Sequence, residues 1–84
     1  MQLLMSKAGI KIVKSPVKGN VTITTSSQYN NINAENVVVE KEITARLFGT
    51  VNGRLQIKQG AKVYLHGIVK GSIENEGGEL HIYI

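Results

Sequence analysis

Apolar and polar positions recur along this chain at a fixed spacing, most clearly between Gly49 and Ile84. Alternate positions of the stretch 47–55 recur 18 residues later with the same glycine or apolar character. They are Leu47, Gly49, Val51, Gly53 and Leu55, which recur as Leu65, Gly67, Val69, Gly71 and Ile73. A period of this length is typical of a solenoid, in which each coil buries its apolar side by stacking on its neighbours. The pattern therefore predicts a parallel β-helix.

Four copies of the pattern fill the chain, beginning at Val17, Asn33, Val51 and Val69, at steps of 16, 18 and 18 residues. β-Branched residues dominate the periodic positions and no helical periodicity is visible, so we expect strands almost everywhere. We predict one all-β domain over residues 1–84, a single-stranded parallel β-helix of about four 16- to 18-residue coils. We expect residues 1–7 to be a short apolar N-terminal tail, and only Met1 to Ser6 could be helical.

Stacking the copies sorts the side chains into columns, because equivalent positions of a parallel β-helix lie above one another at about 4.8 Å. The apolar pattern lapses at Asn75, which predicts either an asparagine that bonds the backbone at the last corner or a frayed end. Residues 24–31 predict a strand with an irregular corner. The expected inward columns are Val21, Val37, Leu55 and Ile73; Ile23, Val39, Ile57 and Asn75; Ala45, Val63 and Leu80; and Leu47, Leu65 and Ile82.

Two outward columns bring together most of the aromatic residues, both histidines and one arginine. Such side chains stack on neighbouring strands, which is one explanation for their presence. Tyrosine, phenylalanine and arginine are also the residues that anchor protein interfaces. We therefore expect a binding face here, comprising Arg46, Phe48, Tyr64, His66, His81 and Tyr83.

The net charge of +4 is unevenly placed, because Lys7, Lys11, Lys14 and Lys18 all precede the first carboxylate, Glu35. From Glu35 onward, basic and acidic residues cancel. A basic arm can attract acidic lipids, nucleic acid or an acidic protein surface, or it can simply keep a β protein soluble. Because the arm and the aromatic residues lie at opposite ends of the sequence, we do not expect nucleic-acid binding.

Residues that could carry chemistry are sparse. The chain has no cysteine and no aspartate, which excludes disulfides and thiolate metal sites and fits a reducing cytosol. Its histidines have no acidic partner at ligand spacing and Ser72 has no catalytic motif, so we expect no metal, cofactor or enzyme activity. A left-handed acyltransferase is the catalytic alternative, since apolar residues from Val51 to Val69 fall six apart, but Asn75 interrupts that series.

The C-terminal stretch from Leu80 to Ile84 runs apolar to the last residue. The last coil of a β-helix leaves N–H and C=O groups unpaired, which makes it an edge that other chains can join. We expect Leu80, Ile82 and Ile84 to dock on a second copy, in a closed dimer or in a filament. At the other end, the apolar run of Met1 to Lys7 is too short for a secretory signal, and no transmembrane span is expected.

The repeated Val-x-Gly-x-Val/Leu/Ile unit, at 17–21, 51–55 and 69–73, resembles that of the bactofilins and related small bacterial β-solenoids. The resemblance covers about Val17 to Ile84. It implies a triangular β-helix, right-handed rather than left-handed, and end-to-end polymerisation without nucleotide. It also implies a short N-terminal segment that touches the membrane. We therefore expect a cytoplasmic protein, peripheral to the membrane, whose tail residues contact the membrane or a partner; these residues are Leu3, Leu4, Met5 and Lys7. Bactofilins have more coils, so a truncated relative acting as an adaptor or small oligomer is an equal expectation.

A second class of function stays open. A small domain without catalytic groups can serve as a specific protein-binding module, such as an immunity or inhibitor protein that caps a partner enzyme. The outward columns of aromatic and basic residues would then be the contact surface. One stoichiometric heterologous partner would favour this module, whereas filaments formed without a partner would favour the scaffold.

Overall fold

The computed structural model describes residues 10–84, which form eight β-strands and no helix. All pairings among them are parallel, and they stack as a β-solenoid of about four turns, as predicted. The handedness stays a prediction, and the tail residues Leu3, Leu4, Met5 and Lys7 lie outside the described residues. The strands are β1 Lys11–Val13, β2 Val17–Ile23, β3 Ser27–Val39, β4 Thr44–Val51, β5 Arg54–Ile57, β6 Lys62–Val69, β7 Ser72–Asn75 and β8 Glu79–Tyr83.

Three ladders of paired strands form the three faces of the coil. The first face stacks β1, the start of β3, β4, β6 and β8 in that order. The second stacks the start of β2, the middle of β3 and the ends of β4 and β6. The third stacks the end of β2, the end of β3, β5 and β7. Position along the sequence therefore becomes height, from a lower end at β1 and β2 to an upper end at β7 and β8.

The predicted inward columns form in the predicted register. Within the stack they are dry, since Leu55 and Leu65 are both 0% exposed. Burying a side chain of this size contributes about 1.5–3 kcal/mol. At the upper end, Ile73 and Ile82 remain 44% and 47% exposed, because no described strand lies on them.

The step between the first two coils differs from the prediction. Spacing placed Val17 under Asn33, but Val17 pairs with Ile32. The extra residue at Glu35 restores the predicted 16-residue offset from the pair of Asn20 and Asn36 onward. Ile32 is 1% exposed and fills the inward position. An asparagine there would lose its water without a partner, at a cost of about 1–3 kcal/mol.

The irregular corner predicted for residues 24–31 is present. The register of β3 against β4 shifts between Tyr29 and Ile32. The Ser26 hydroxyl accepts a hydrogen bond from the Thr44 N–H at 3.1 Å and so satisfies a donor that the corner leaves out of the ladder.

Asn75 interrupts its apolar column because it builds the last corner. Its side-chain oxygen accepts hydrogen bonds from the N–H groups of Gly77 and Gly78, at 3.1 and 2.7 Å. Its side-chain nitrogen donates to the Gly78 carbonyl at 3.1 Å. The first of the two explanations for this residue, backbone bonding at the corner, is confirmed.

Gly49 and Gly67 let neighbouring coils touch at the corner between the first two faces. They form one column above Ile32, with φ of 142° and 155°. A Cβ on Gly67 would overlap the Gly49 carbonyl, and a Cβ on Gly49 would overlap that of Ile32. Glycine is therefore required here both by backbone conformation and by space.

Gly67→Ala is expected to lower the free energy of unfolding by more than about 3 kcal/mol, because backbone overlap adds to the strain of positive φ. Gly19→Ala is the matched control, since Gly19 has a φ of 79° but an added Cβ meets no atom within 4 Å. Its expected cost is about 1–2 kcal/mol. Urea denaturation followed by circular dichroism measures both, and equal losses would contradict the overlap.

Candidate interaction face

The first face presents alternate side chains of β4, β6 and β8 to solvent. In-register pairing places Arg46 beneath Tyr64 and Tyr64 beneath His81, and it stacks Phe48, His66 and Tyr83 in the next column. The structure thus brings together all six residues that the sequence assigned to a binding face. We call this surface, comprising Arg46, Phe48, Tyr64, His66, His81 and Tyr83, the aromatic face.

The rings in the aromatic face lie flat on one another. The ring centroids of Phe48 and His66 are 4.4 Å apart and those of His66 and Tyr83 are 4.6 Å apart, with interplanar angles of 9° and 13°. Tyr64 and His81 stack at 5.1 Å and 9°. Each such pair adds about 0.5–1.5 kcal/mol beyond burial of its area. Stacking therefore contributes to stability, which is the first of the two explanations that the sequence offers for these columns.

Arg46 joins the two columns. Its guanidinium carbon lies 5.2 Å from the centre of the Tyr64 ring, and its Nη1 lies 2.9 Å from His66 Nε2. A guanidinium can only donate, so His66 Nε2 accepts in this contact, which assigns the ring N–H to Nδ1. Sequence spacing missed this contact, because it runs diagonally across 20 residues rather than up one column.

The charge of Arg46 is not neutralised locally. Within residues 10–84 Arg54 pairs with Glu74 and the His81 ring contacts Glu79, both at 3.4 Å, and no carboxylate pairs with Arg46. The half-buried guanidinium keeps donors beyond the one that His66 takes. Such a group is suited to a carboxylate supplied by another molecule, because it can bind both carboxylate oxygens.

Stacking determines what the aromatic face can bind. His66 lies between Phe48 and Tyr83, and Tyr64 lies between Arg46 and His81, so these two rings offer edges and polar atoms to solvent. The upper surfaces of His81 and Tyr83 face no further strand of the described chain and can be stacked on by another group. Within the described chain, no group of three His, Cys, Asp or Glu side chains could hold a metal ion. The arrangement therefore favours contact with another molecule through ring edges and hydrogen bonds.

A groove of about 610 Å³ lies at a different corner, lined by Lys41, Glu42, Gln59, Gly60 and Gly77. Glu42, with a φ of 60°, is the non-glycine residue at positive φ in the part of the chain described here. Gly60 and Gly77 occupy the equivalent corner positions, with φ of 77° and 106°. Corner geometry thus accounts for the conformation of Glu42, and the groove brings no set of functional groups together.

Asparagine side chains form further ladders that sequence spacing did not reveal. Asn52 Nδ2 donates to Asn33 Oδ1 at 2.8 Å, and Asn36 Nδ2 donates to Asn20 Oδ1 at 3.0 Å. Asn36 Oδ1 also accepts the Arg54 N–H at 3.0 Å. These bonds hold the corners of adjacent coils together. The available signal was the recurrence of asparagine at separations of 16 and 19 residues.

His66 is expected to be the Nδ1–H tautomer, because Arg46 donates to its Nε2. Long-range ¹H–¹⁵N correlation spectra distinguish the two tautomers. Arg46→Met keeps an unbranched apolar stem but removes the donor, and it should allow the Nε2–H tautomer at His66 while leaving the His81 resonances in place. An Nε2–H tautomer at His66 in the unaltered protein would contradict the contact.

No family model, curated protein or solved structure matches this chain. The resemblance to bactofilins therefore rests on the repeated glycine and valine unit alone, and the functions that it implies are proposals. Within residues 10–84 no helix has the length and apolarity needed to cross a membrane. What the fold does show is a small all-β protein built as a parallel β-solenoid of about four turns.

Proposed function

We propose that this protein is a non-catalytic structural protein that associates with copies of itself through the ends of its solenoid, as a bactofilin-like scaffold. The free edge at the upper end is the observation that supports this proposal. β7 and β8 stand at the two extremes of the strand order. Within the described residues, their outer N–H and C=O groups face no further strand, so another chain can pair with them.

The side chains at this edge are those of an interior coil. Ile73 continues the column of Leu55, and Ile82 continues that of Leu65. The lower member of each column is fully buried, whereas the upper member is nearly half exposed. A second copy placed on this edge supplies the missing coil and buries the isoleucines, which gains about 25 cal/mol for each Å² of apolar surface covered.

We also propose that the protein is cytoplasmic and peripheral to the membrane. This localisation rests on the resemblance and on the apolar residues Leu3, Leu4 and Met5 beside Lys7. Apolar side chains beside a basic residue are suited to the surface of an anionic membrane, although so short a segment binds weakly by itself.

Ile82→Lys is expected to abolish self-association, because a lysine in an inward column would carry its charge into the apolar junction. Sedimentation velocity over a range of concentrations should show the unaltered 84-residue protein growing beyond its 9.2 kDa monomer and the variant remaining at that mass.

Val38→Lys is the matched control, because Val38 is a half-buried apolar residue on the outer side of β3, away from both ends. It should associate as the unaltered protein does. A concentration-independent 9.2 kDa monomer for the unaltered chain would overturn the proposal.

A second function is favoured by one specific observation, the unneutralised Arg46 within the aromatic face. The chain could act as a protein-binding module, of the immunity or inhibitor kind, for a partner that presents a carboxylate among apolar groups. Arginine and tyrosine are the residues in which binding energy concentrates at interfaces. Arg46 lies on the side of the solenoid, two strands below β8, so its guanidinium remains accessible when the ends associate.

Two variants separate the two functions. Arg46→Gln should weaken capture of a stoichiometric partner by about 2 kcal/mol, as for an interface hot spot, and leave self-association intact. Ile82→Lys should abolish self-association and leave capture of the partner intact. Affinity capture and quantitative mass spectrometry, run beside sedimentation of the same variants, measure both effects. If Arg46→Gln and Ile82→Lys retain every partner equally, the aromatic face is not a binding module.

A further inference from the structure

Charged residues are segregated along the axis of the solenoid. Residues 10–34 contain Lys11, Lys14 and Lys18 and no carboxylate side chain, whereas the uppermost coil, residues 67–84, contains three glutamates and one lysine, Lys70. All seven of these charged side chains are exposed. Because stacking turns sequence order into height, the side chains give the lower end a net positive charge and the upper end a net negative charge. The glutamates are Glu74, Glu76 and Glu79.

Two copies can meet end to end in three ways. Lower against lower brings the lysines of both copies together, and upper against upper does the same for the glutamates. Like charges brought face to face weaken an interface, whereas opposite charges speed encounter and fix orientation. Only lower against upper joins opposite charges.

We propose that self-association is polar, with the upper end of one copy stacked beneath the lower end of the next. This inference rests on the proposed function and specifies its geometry. A heterologous contact of this kind leaves a free end on each copy added, so its product is an open, directional stack rather than a closed pair.

The columns continue across such a junction. β1 and β8 lie on the same face, where Val13 and Ile82 belong to one inward column. Placing β1 of the next copy parallel to β8 therefore sets Val13 on Ile82. Lys11 would lie over Leu80, where its aliphatic stem can cover the leucine while its ammonium group reaches toward Glu79 at the rim.

The existing contacts of the glutamates leave this charge available. Glu74 pairs with Arg54 at 3.4 Å, but both side chains are about half exposed, so the pair is weak. Glu76 accepts a hydrogen bond from the neutral Gln56 amide at 2.8 Å. Glu79 lies 3.4 Å from His81 and is in no ion pair with a lysine or arginine of the described chain.

Charge reversal at one end at a time tests the polarity. A lower-end variant carries Lys11→Glu, Lys14→Glu and Lys18→Glu, and an upper-end variant carries the reverse change at the three glutamates. Each alone has two ends of the same sign and should self-associate at least about tenfold more weakly than the unaltered protein. An equimolar mixture should recover association, because each negative end then finds a positive one. Recovery also shows that both variants fold.

Salt and cross-linking give independent readings. Association of the unaltered protein should weaken about tenfold or more between low and high sodium chloride, since exposed charges are screened. Because the chain has no native cysteine, an equimolar mixture of Val13→Cys and Ile82→Cys proteins should form a disulfide between the two, at a strand spacing that allows one.

The outcomes separate the two proposals. A monomer under all conditions overturns both self-association and its polarity. If the unaltered protein associates, any one of three results leaves self-association standing and overturns the polar geometry. The three are strengthening of the complex by salt, continued association of both charge variants, and cross-linking of Ile82→Cys alone to itself. Loss in each variant with recovery in the mixture supports the polar stack.

Discussion

Parallel hydrogen bonding between coils sets every residue above its equivalent in the coil before, and the rest of the structure depends on this constraint. A slip of one residue would turn every inward side chain outward. Each column must therefore hold side chains that suit one environment in every coil. The dry column of Val37 and Leu55, the glycine contact of Gly49 and Gly67, and the stacked ring of His66 all follow from it.

The aromatic face shows that holding the register and offering a surface are compatible roles. Stacking of His66 between Phe48 and Tyr83 covers both flat sides of the imidazole and adds to the stability of adjacent coils. The ring edges and the guanidinium of Arg46 remain at the surface. A ligand that recognises edges and donors would meet a preformed surface, because the stacking that stabilises the coils also fixes the ring positions.

The sequence predicts those features that depend on repetition. Inward columns from Val21 to Ile82 could be assigned because burial demands an apolar residue at the same place in every coil. The pairing of Val17 failed because the extra residue at Glu35 belongs to no repeating pattern. Spacing within columns predicts which six residues share the aromatic face, but the bond from Arg46 to His66 crosses between columns and depends on how far one side chain reaches.

Residues at the ends of the solenoid and residues along its sides have different roles in this molecule. Residues on the sides repeat from coil to coil, so their chemistry is multiplied along the stack. The ends occur once each, and there the chain places an excess of lysine below and of glutamate above. The residues that distinguish one end from the other therefore lie outside the repeated pattern, whereas the residues that stabilise the stack belong to it.

The glycine column has one more consequence, for the length of the molecule. Gly49 and Gly67 occupy the same place in successive coils, 18 residues apart, and the residues beside them pair in the same register. Duplication of residues 49–66 would insert a coil whose glycines and inward apolar residues fall in the same columns as those of its neighbours. The two ends would move apart by about 4.8 Å and keep their composition. Such a chain can lengthen by whole coils while its inward columns and its glycine column stay in register.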